Sequence, residues 1–186
     1  VKYIPITCTE AANKLKLRIP YSLDLNIYRV CHHGCRYCYA QYTHQYLGSE
    51  NFDSDIYVKT NIAEALERQL AAPGWQQEIV NLGGVTDNYQ PAEAEYKLMP
   101  DVLRLLIKYK TPAIISTKSD LIMRDYDLID ELSRVAYVNI AASIITVDED
   151  LREKLEPGSA TTARRFDVLT AFAKTNATRG LHVMPI

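Results

Sequence analysis

The feature that most constrains this chain is a repeated change of period. Short apolar runs, "EIVNLGG" (78–84), "PAIIST" (112–117), "YVNIAASII" (137–145) and "GLHVMPI" (180–186), take turns with longer stretches. In "NIAEALERQLAAPG" (61–74), "PAEAEYKLMPDVLRLLIKYK" (91–110), "DYDLIDELSRV" (125–135) and "TTARRFDVLTAFAKTN" (161–176) the apolar residues recur at helical spacing. Upstream, Leu23, Leu25 and Ile27 alternate with polar neighbours, predicting a strand that leads directly into Cys31. Five strands alternating with helices predict an α/β fold, with a parallel sheet covered by helices through right-handed crossovers. Parallel strands deliver their C-terminal ends to one edge, so Cys31 and residues 83–87, 116–118, 143 and 184–186 are expected to share a rim where a ligand would bind. Within the helices, Asn61 followed by Glu64 predicts a capped start, and Pro91 suits a first helical position. Pro100 predicts a kink or a restart. The stretch between Cys38 and the first helix is expected to be a polar, Tyr-rich loop.

On that rim sits "CHHGCRYCY" (31–39), with Cys31, Cys35 and Cys38 spaced by four and then three positions. Of the four cysteines these three fall within eight residues, a poor disulfide framework and a good metal or catalytic one. Thiolates select zinc or iron–sulfur clusters. Structural zinc closes a tetrahedron, usually as two short pairs a dozen or more residues apart, and no second C-x-x-C pair follows here. His32 and His33 could supply nitrogen, but both lie in the same tight loop. Cys8 is the only distant thiol, and is read as a small buried residue. A four-iron cubane held by three thiolates leaves one iron open to a substrate.

Charge narrows the classes further. Lys plus Arg number 21 against 23 for Asp plus Glu, a formal charge of 21 − 23 = −2, so no global basic field advertises nucleic acid. The cysteine-bearing end is locally positive, residues 1–50 carrying six basic and three acidic side chains. No run approaches a membrane span and no signal-peptide series opens the chain, which makes a cytoplasmic location with reduced thiols the expectation.

The pattern C-x-x-x-C-x-aromatic-C, here Cys31, Cys35, Tyr37 and Cys38, resembles the signature of the radical S-adenosylmethionine enzymes. "GCRYCYAQYTH", "NLGGVTDNYQPAE", "ISTKSDLIMRDYDLI", "ASIITVDEDLREKLEPGSATTARR" and "HVMPI" together resemble the spore photoproduct lyase-related branch of that superfamily, from about residue 23 to the end. The resemblance implies a partial parallel (β/α) barrel over residues 23–186, after an N-terminal extension of residues 1–22. Its six-unit pattern would need another strand and helix after Ile186. It also implies a 4Fe-4S cluster on Cys31, Cys35 and Cys38, S-adenosylmethionine as co-substrate, and an electron donor such as a flavodoxin or ferredoxin. Tyr37 matches an aromatic near the adenine, and Gly83 and Gly84, with Thr86 and Asp87, match a segment facing the methionyl ammonium. Lys118 matches a lysine near the methionyl carboxylate or ribose, and Ser143 a serine touching the nucleoside. Tyr37 and Tyr39 resemble tyrosines implicated in relaying hydrogen. One of Arg164 and Arg165 is expected to face an anion. In the lyases a cysteine on the second-strand loop returns a hydrogen atom to the product, and Gly84 stands where that thiol is expected. Two other readings stay open: a DNA-lesion lyase, and a non-catalytic metal-binding module with a nucleic-acid surface.

Overall fold

The computed structural model describes residues 1–16, 19, 21–47 and 54–184. In chain order its strands and helices are β1 (Lys2–Ile6), β2 (Ala12–Lys14), β3 (Leu23–Leu25), β4 (Tyr28–Arg29), β5 (Asp55–Lys59), α1 (Ile62–Leu70), β6 (Val80–Leu82), α2 (Ala92–Tyr96) and α3 (Met99–Lys108). They continue with β7 (Ala113–Thr117), α4 (Tyr126–Val135), β8 (Val138–Ser143), α5 (Glu149–Leu155), α6 (Thr162–Ala171) and β9 (Thr178–His182). The five expected strands are β3, β6, β7, β8 and β9, parallel and adjacent in chain order, with β2 added antiparallel to β3. β1, β5 and β4 form a second, three-stranded sheet. Among the described residues no helix is long and apolar enough to cross a membrane.

Register divides the large sheet into two unlike faces. Leu25, Leu82, Ile115 and Ile140 lie side by side, fully buried in a core with Ile62, Leu66, Leu103, Leu106, Ile129, Leu132 and Val168 of the covering helices. One position earlier, on the opposite face, the row reads Asp24, Asn81, Ile114, Asn139 and Thr178. That face is polar: Asp24 accepts from the amides of Asn26 (2.6 Å) and Asn81 (2.8 Å), and Asn139 donates to Thr178 (2.8 Å).

Several local expectations change. The strand expected to run into Cys31 stops at Leu25, and the chain crosses to the small sheet as β4 before the cysteines. The polar loop after Cys38 contains a 3-10 segment (Tyr39–Leu47) and β5, while residues 48–53 lie outside the described ones. Asn61 precedes α1 but makes no cap bond. Its amide instead holds both backbone groups of Cys8, at 2.9 Å each, and so ties the end of β1 to the helix. At Pro100 the restart is found: α2 ends at Lys97 in the left-handed region (φ 50°), and Pro100 falls in the first turn of α3. The buried Glu93 carboxylate receives the N–H groups of Leu98 and Met99 at 3.1 and 3.0 Å, satisfying the new helix start. Glu93 also takes the Tyr28 hydroxyl (2.5 Å) and Arg124 (2.6 Å), locking that joint to β4 and to the segment before α4.

Candidate functional site: a cysteine loop held by two turns

All three cysteines of the loop carry free thiols, Cys35 buried and Cys31 and Cys38 partly so. Burial pushes the Cys35 thiol up to about 12, helped by the negative charge of Glu156 and opposed by Lys118. Cys31 is raised too, by burial first and then by Asp87. Binding a metal therefore means displacing thiol protons. Among the described residues no three His, Cys, Asp or Glu side chains already converge as a metal-holding group, so it is the donor set that fits. Three reduced thiols share one loop, and the neighbouring His33 is already engaged on both ring nitrogens. Its Nδ1 faces the Gly158 carbonyl at 2.8 Å and its Nε2 the Asp87 carboxylate at 3.0 Å.

The loop enters through Val30, a β-branched residue at φ 70°, where left-handed backbone is unfavourable. The turn after β6 holds it there. Thr86 donates its hydroxyl to the Val30 carbonyl at 2.6 Å, and the Gln90 amide donates to the same oxygen at 3.1 Å. The other end of the Gln90 amide accepts the His32 N–H at 3.0 Å. Asp87, expected to face a ligand ammonium, accepts instead from Thr117, the Lys118 N–H, the Tyr89 N–H and His33. Burial alone would raise that carboxyl; the donors from His33, Lys118 and Tyr89 outweigh it and hold it below the usual carboxylate range.

A second turn, residues 156–158 after α5, supports the other side. Gly158 N donates to the His33 carbonyl (3.0 Å), and Arg36 N donates to that of Leu155 (2.9 Å). A Cβ on Gly158 would lie 2.5 Å from the His32 carbonyl oxygen, so only glycine permits this approach. Glu156, wholly buried, receives the Tyr37 hydroxyl and pairs with Arg165 at 2.6 Å, and Lys118 lies 3.8 Å from it and 5.8 Å above the Tyr37 ring. Arg165 reaches the Ser143 carbonyl at 2.7 Å, whereas Arg164 is exposed and pairs with Asp120. The buried one of the two arginines is thus Arg165.

The expected residues therefore gather around the loop in distinct ways. Tyr37 and Lys118 sit together beside Cys35, and Tyr39 donates its hydroxyl to the Gly84 carbonyl. Gly83 adopts φ +96° with the Thr86 and Ser116 carbonyls close by. Thr86 and Asp87 lie beneath the loop, tied to it. Ser143 ends β8, its backbone held by Arg165 and its register partner His182. Pro185 and Ile186, the end of the expected rim, lie outside the described residues. Gln90, Glu156, Asp24 and His182 escaped sequence reasoning. Glu156 stood within a quoted segment, and the glycine after Pro157 was its best signal.

The sequence profile of the radical SAM superfamily matches residues 25–186. An uncharacterised protein of Mycobacterium tuberculosis is 36% identical over 191 residues, covering 100% of this chain and 56% of the relative. One of Methanocaldococcus jannaschii is 26% identical over 162 residues, covering 87% of this chain and 59% of the relative. The chain thus spans little more than half the length of these relatives. Among solved structures, spore photoproduct lyase complexed with dinucleoside spore photoproduct superposes with a TM-score of 0.75 at 15% identity, over 99% of this chain and 51% of that one. A variant of that lyase with bound AdoMet and dinucleoside spore photoproduct gives 0.73 at 14% identity, with the same coverage of both chains. At such identities the likeness is one of fold.

Proposed function

The chain belongs to the radical SAM superfamily, and from that premise we propose that Cys31, Cys35 and Cys38 hold a 4Fe-4S cluster at which S-adenosylmethionine is reductively cleaved. The observation that carries this reading is the donor set: three free thiols on one loop whose neighbouring His33 is engaged elsewhere. When bound, the cluster and S-adenosylmethionine supply a 5′-deoxyadenosyl radical, with the electron coming from a donor such as a flavodoxin or ferredoxin. The chain's own residues bind and orient. Lys118, one-fifth exposed beside Tyr37, presents a cation to the methionyl carboxylate. Gly83 and Gly84 offer backbone to the ammonium, and Tyr37 and Ser143 flank the nucleoside. Thr86 and Asp87 serve the loop rather than the ligand, since their polar atoms are taken by Val30, Gln90, His33, Thr117 and backbone N–H groups.

The substrate differs from that of the lyase whose fold this chain shares. A DNA-lesion lyase reading needs a hydrogen-donating thiol at the second-strand loop. Gly84 supplies none, and an added Cβ there would meet the Asp24 carboxylate at 2.3 Å. A cytoplasmic location fits the reduced thiols.

Anaerobic reconstitution with iron and sulfide is expected to give about four irons per chain. S-adenosylmethionine should then perturb the magnetic spectrum of the reduced cluster. Cys35→Ala should lose the cluster and Cys8→Ala keep it. Loss on Cys8→Ala with retention on Cys35→Ala would overturn the ligand assignment. Tight tetrahedral zinc in place of iron would favour the metal-binding module.

A further inference from the structure

In the turn "TDNYQ" (86–90) the side chains of Thr86, Asp87 and Gln90 reach the segment that carries the cysteines, and Asn88 reaches the strand end before it. Thr86 and Gln90 share the Val30 carbonyl, Gln90 takes the His32 N–H, and Asp87 takes the His33 ring. Asn88 accepts the Ile27 N–H at 3.0 Å and donates to the Leu25 carbonyl at 3.2 Å, fixing the strand end below. Thr86, Asp87, Asn88 and Gln90 are all more than nine-tenths buried. The bonds fall on both sides of one ligand: Val30 precedes Cys31 and His32 follows it. Near Cys35 and Cys38 the bonds come from elsewhere, Arg36 N reaching Leu155 and the Tyr37 hydroxyl reaching Glu156.

Solvated turn residues would serve a surface turn equally well, and burying this many amides and hydroxyls is costly unless each finds a partner. The partners of Thr86 and Gln90 are backbone groups bracketing a single cysteine, including the carbonyl of a residue held in unfavourable left-handed backbone. We propose that the turn 86–90 is a template for Cys31. Through Thr86 and Gln90 it fixes the position of this one ligand before a metal arrives, while Cys35 and Cys38 are placed by the turn after α5. Thr86 and Gln90 are thus positioning residues for the cluster, an assignment that rests on the reading of the cysteine loop given above. Residues that orient metal ligands without touching the metal commonly change its affinity by roughly 10–100-fold.

The test compares Thr86→Val, Thr86→Ser and Gln90→Leu with the unaltered chain. Thr86→Val keeps the shape and removes the hydroxyl; Thr86→Ser returns it. In the metal-free proteins, Gln90→Leu should speed amide exchange at His32 selectively, with β6 and β7 protected as before. After anaerobic reconstitution, Thr86→Val and Gln90→Leu should lose iron to a chelator at roughly 10–100-fold lower concentration. They should also show a shifted spectrum of the reduced cluster, and Thr86→Ser should behave as the unaltered chain does. An unshifted spectrum with unchanged iron retention in Thr86→Val would overturn the template, as would a Thr86→Ser variant no better than Thr86→Val. If Gln90→Leu does not fold, the two Thr86 variants decide the matter. If the unaltered chain binds no iron, the reading of the cysteine loop fails; unchanged His32 exchange in Gln90→Leu would refute the template by itself.

Discussion

At the scale of single residues, Asp24 and Gly84 explain each other. A methyl group on Gly84 would fall 2.3 and 2.5 Å from the two Asp24 oxygens, so the space of one side chain is filled by the other. Gly84→Ala should therefore cost about 1–3 kcal/mol, as overpacking does. In an Asp24→Ala background the same change should cost less than about 0.5 kcal/mol, the non-additivity expected of two residues that compete for one space. Urea unfolding of the four proteins measures this, and an equal cost in both backgrounds would sink the idea. A thiol introduced at residue 84 meets the same carboxylate, so it cannot be added without moving Asp24.

At the scale of elements, the turn after α5 joins the cysteine loop to β8 through one buried carboxylate. Glu156 faces Arg165, Lys118 and the Tyr37 hydroxyl with no exposure to water. Glu156→Gln leaves the buried Arg165 guanidinium without its counter-charge, and stability should fall by about 3–5 kcal/mol. A loss under about 1 kcal/mol in chemical denaturation would show that the Ser143 and Ala160 carbonyls suffice to hold Arg165. Strands β6, β7 and β8 are legible in sequence because their helix-facing side chains are apolar and each run is followed by a helical period, whereas in β9 the matching register position is Arg179. Helix α5 has its own signals, since Asp148 caps it by accepting the Leu151 N–H and Pro157-Gly158 stops it. Those signals lay inside a segment matched for its motif. The small sheet is harder to see: β4 has two residues and β1 contains Pro5. In β5, Ile56 and Val58 do alternate with polar neighbours, but they follow the Tyr-rich stretch. For the site, the cysteines and Lys118 are legible as residue types with a known chemistry. Gln90, Asp24 and Glu156 are not, because a buried polar side chain and a solvated one look alike until the fold has closed around them.

At the scale of the whole molecule, stability should depend on pH through the C-terminal edge of the sheet. Burial, and then the nearby charge of Lys118, lower the affinity of half-buried His182 for a proton relative to its ordinary value. The unfolded chain takes up that proton near its usual 6.5 while the folded protein resists, so this contribution is complete above that value and declines as the pH falls below it. The urea midpoint should drop between about pH 7.5 and about pH 5.5, and drop less in His182→Gln. Equal drops would remove His182 as a source. The template under Cys31 bears on synthesis as well. The cysteines leave the ribosome before the turns that hold them: Gln90 lies 60 positions after Val30, and Gly158, whose carbonyl the His33 ring meets, lies 125 positions after His33. Contacts of such separation close late. The nascent chain thus exposes three unshaped thiols until the fourth strand of the parallel sheet and helix α5 have emerged, and metal offered earlier meets a flexible thiol ligand with no preference for a cubane. On the proposed reading of the cysteine loop, correct loading is then a matter of timing, with iron delivered to a finished fold.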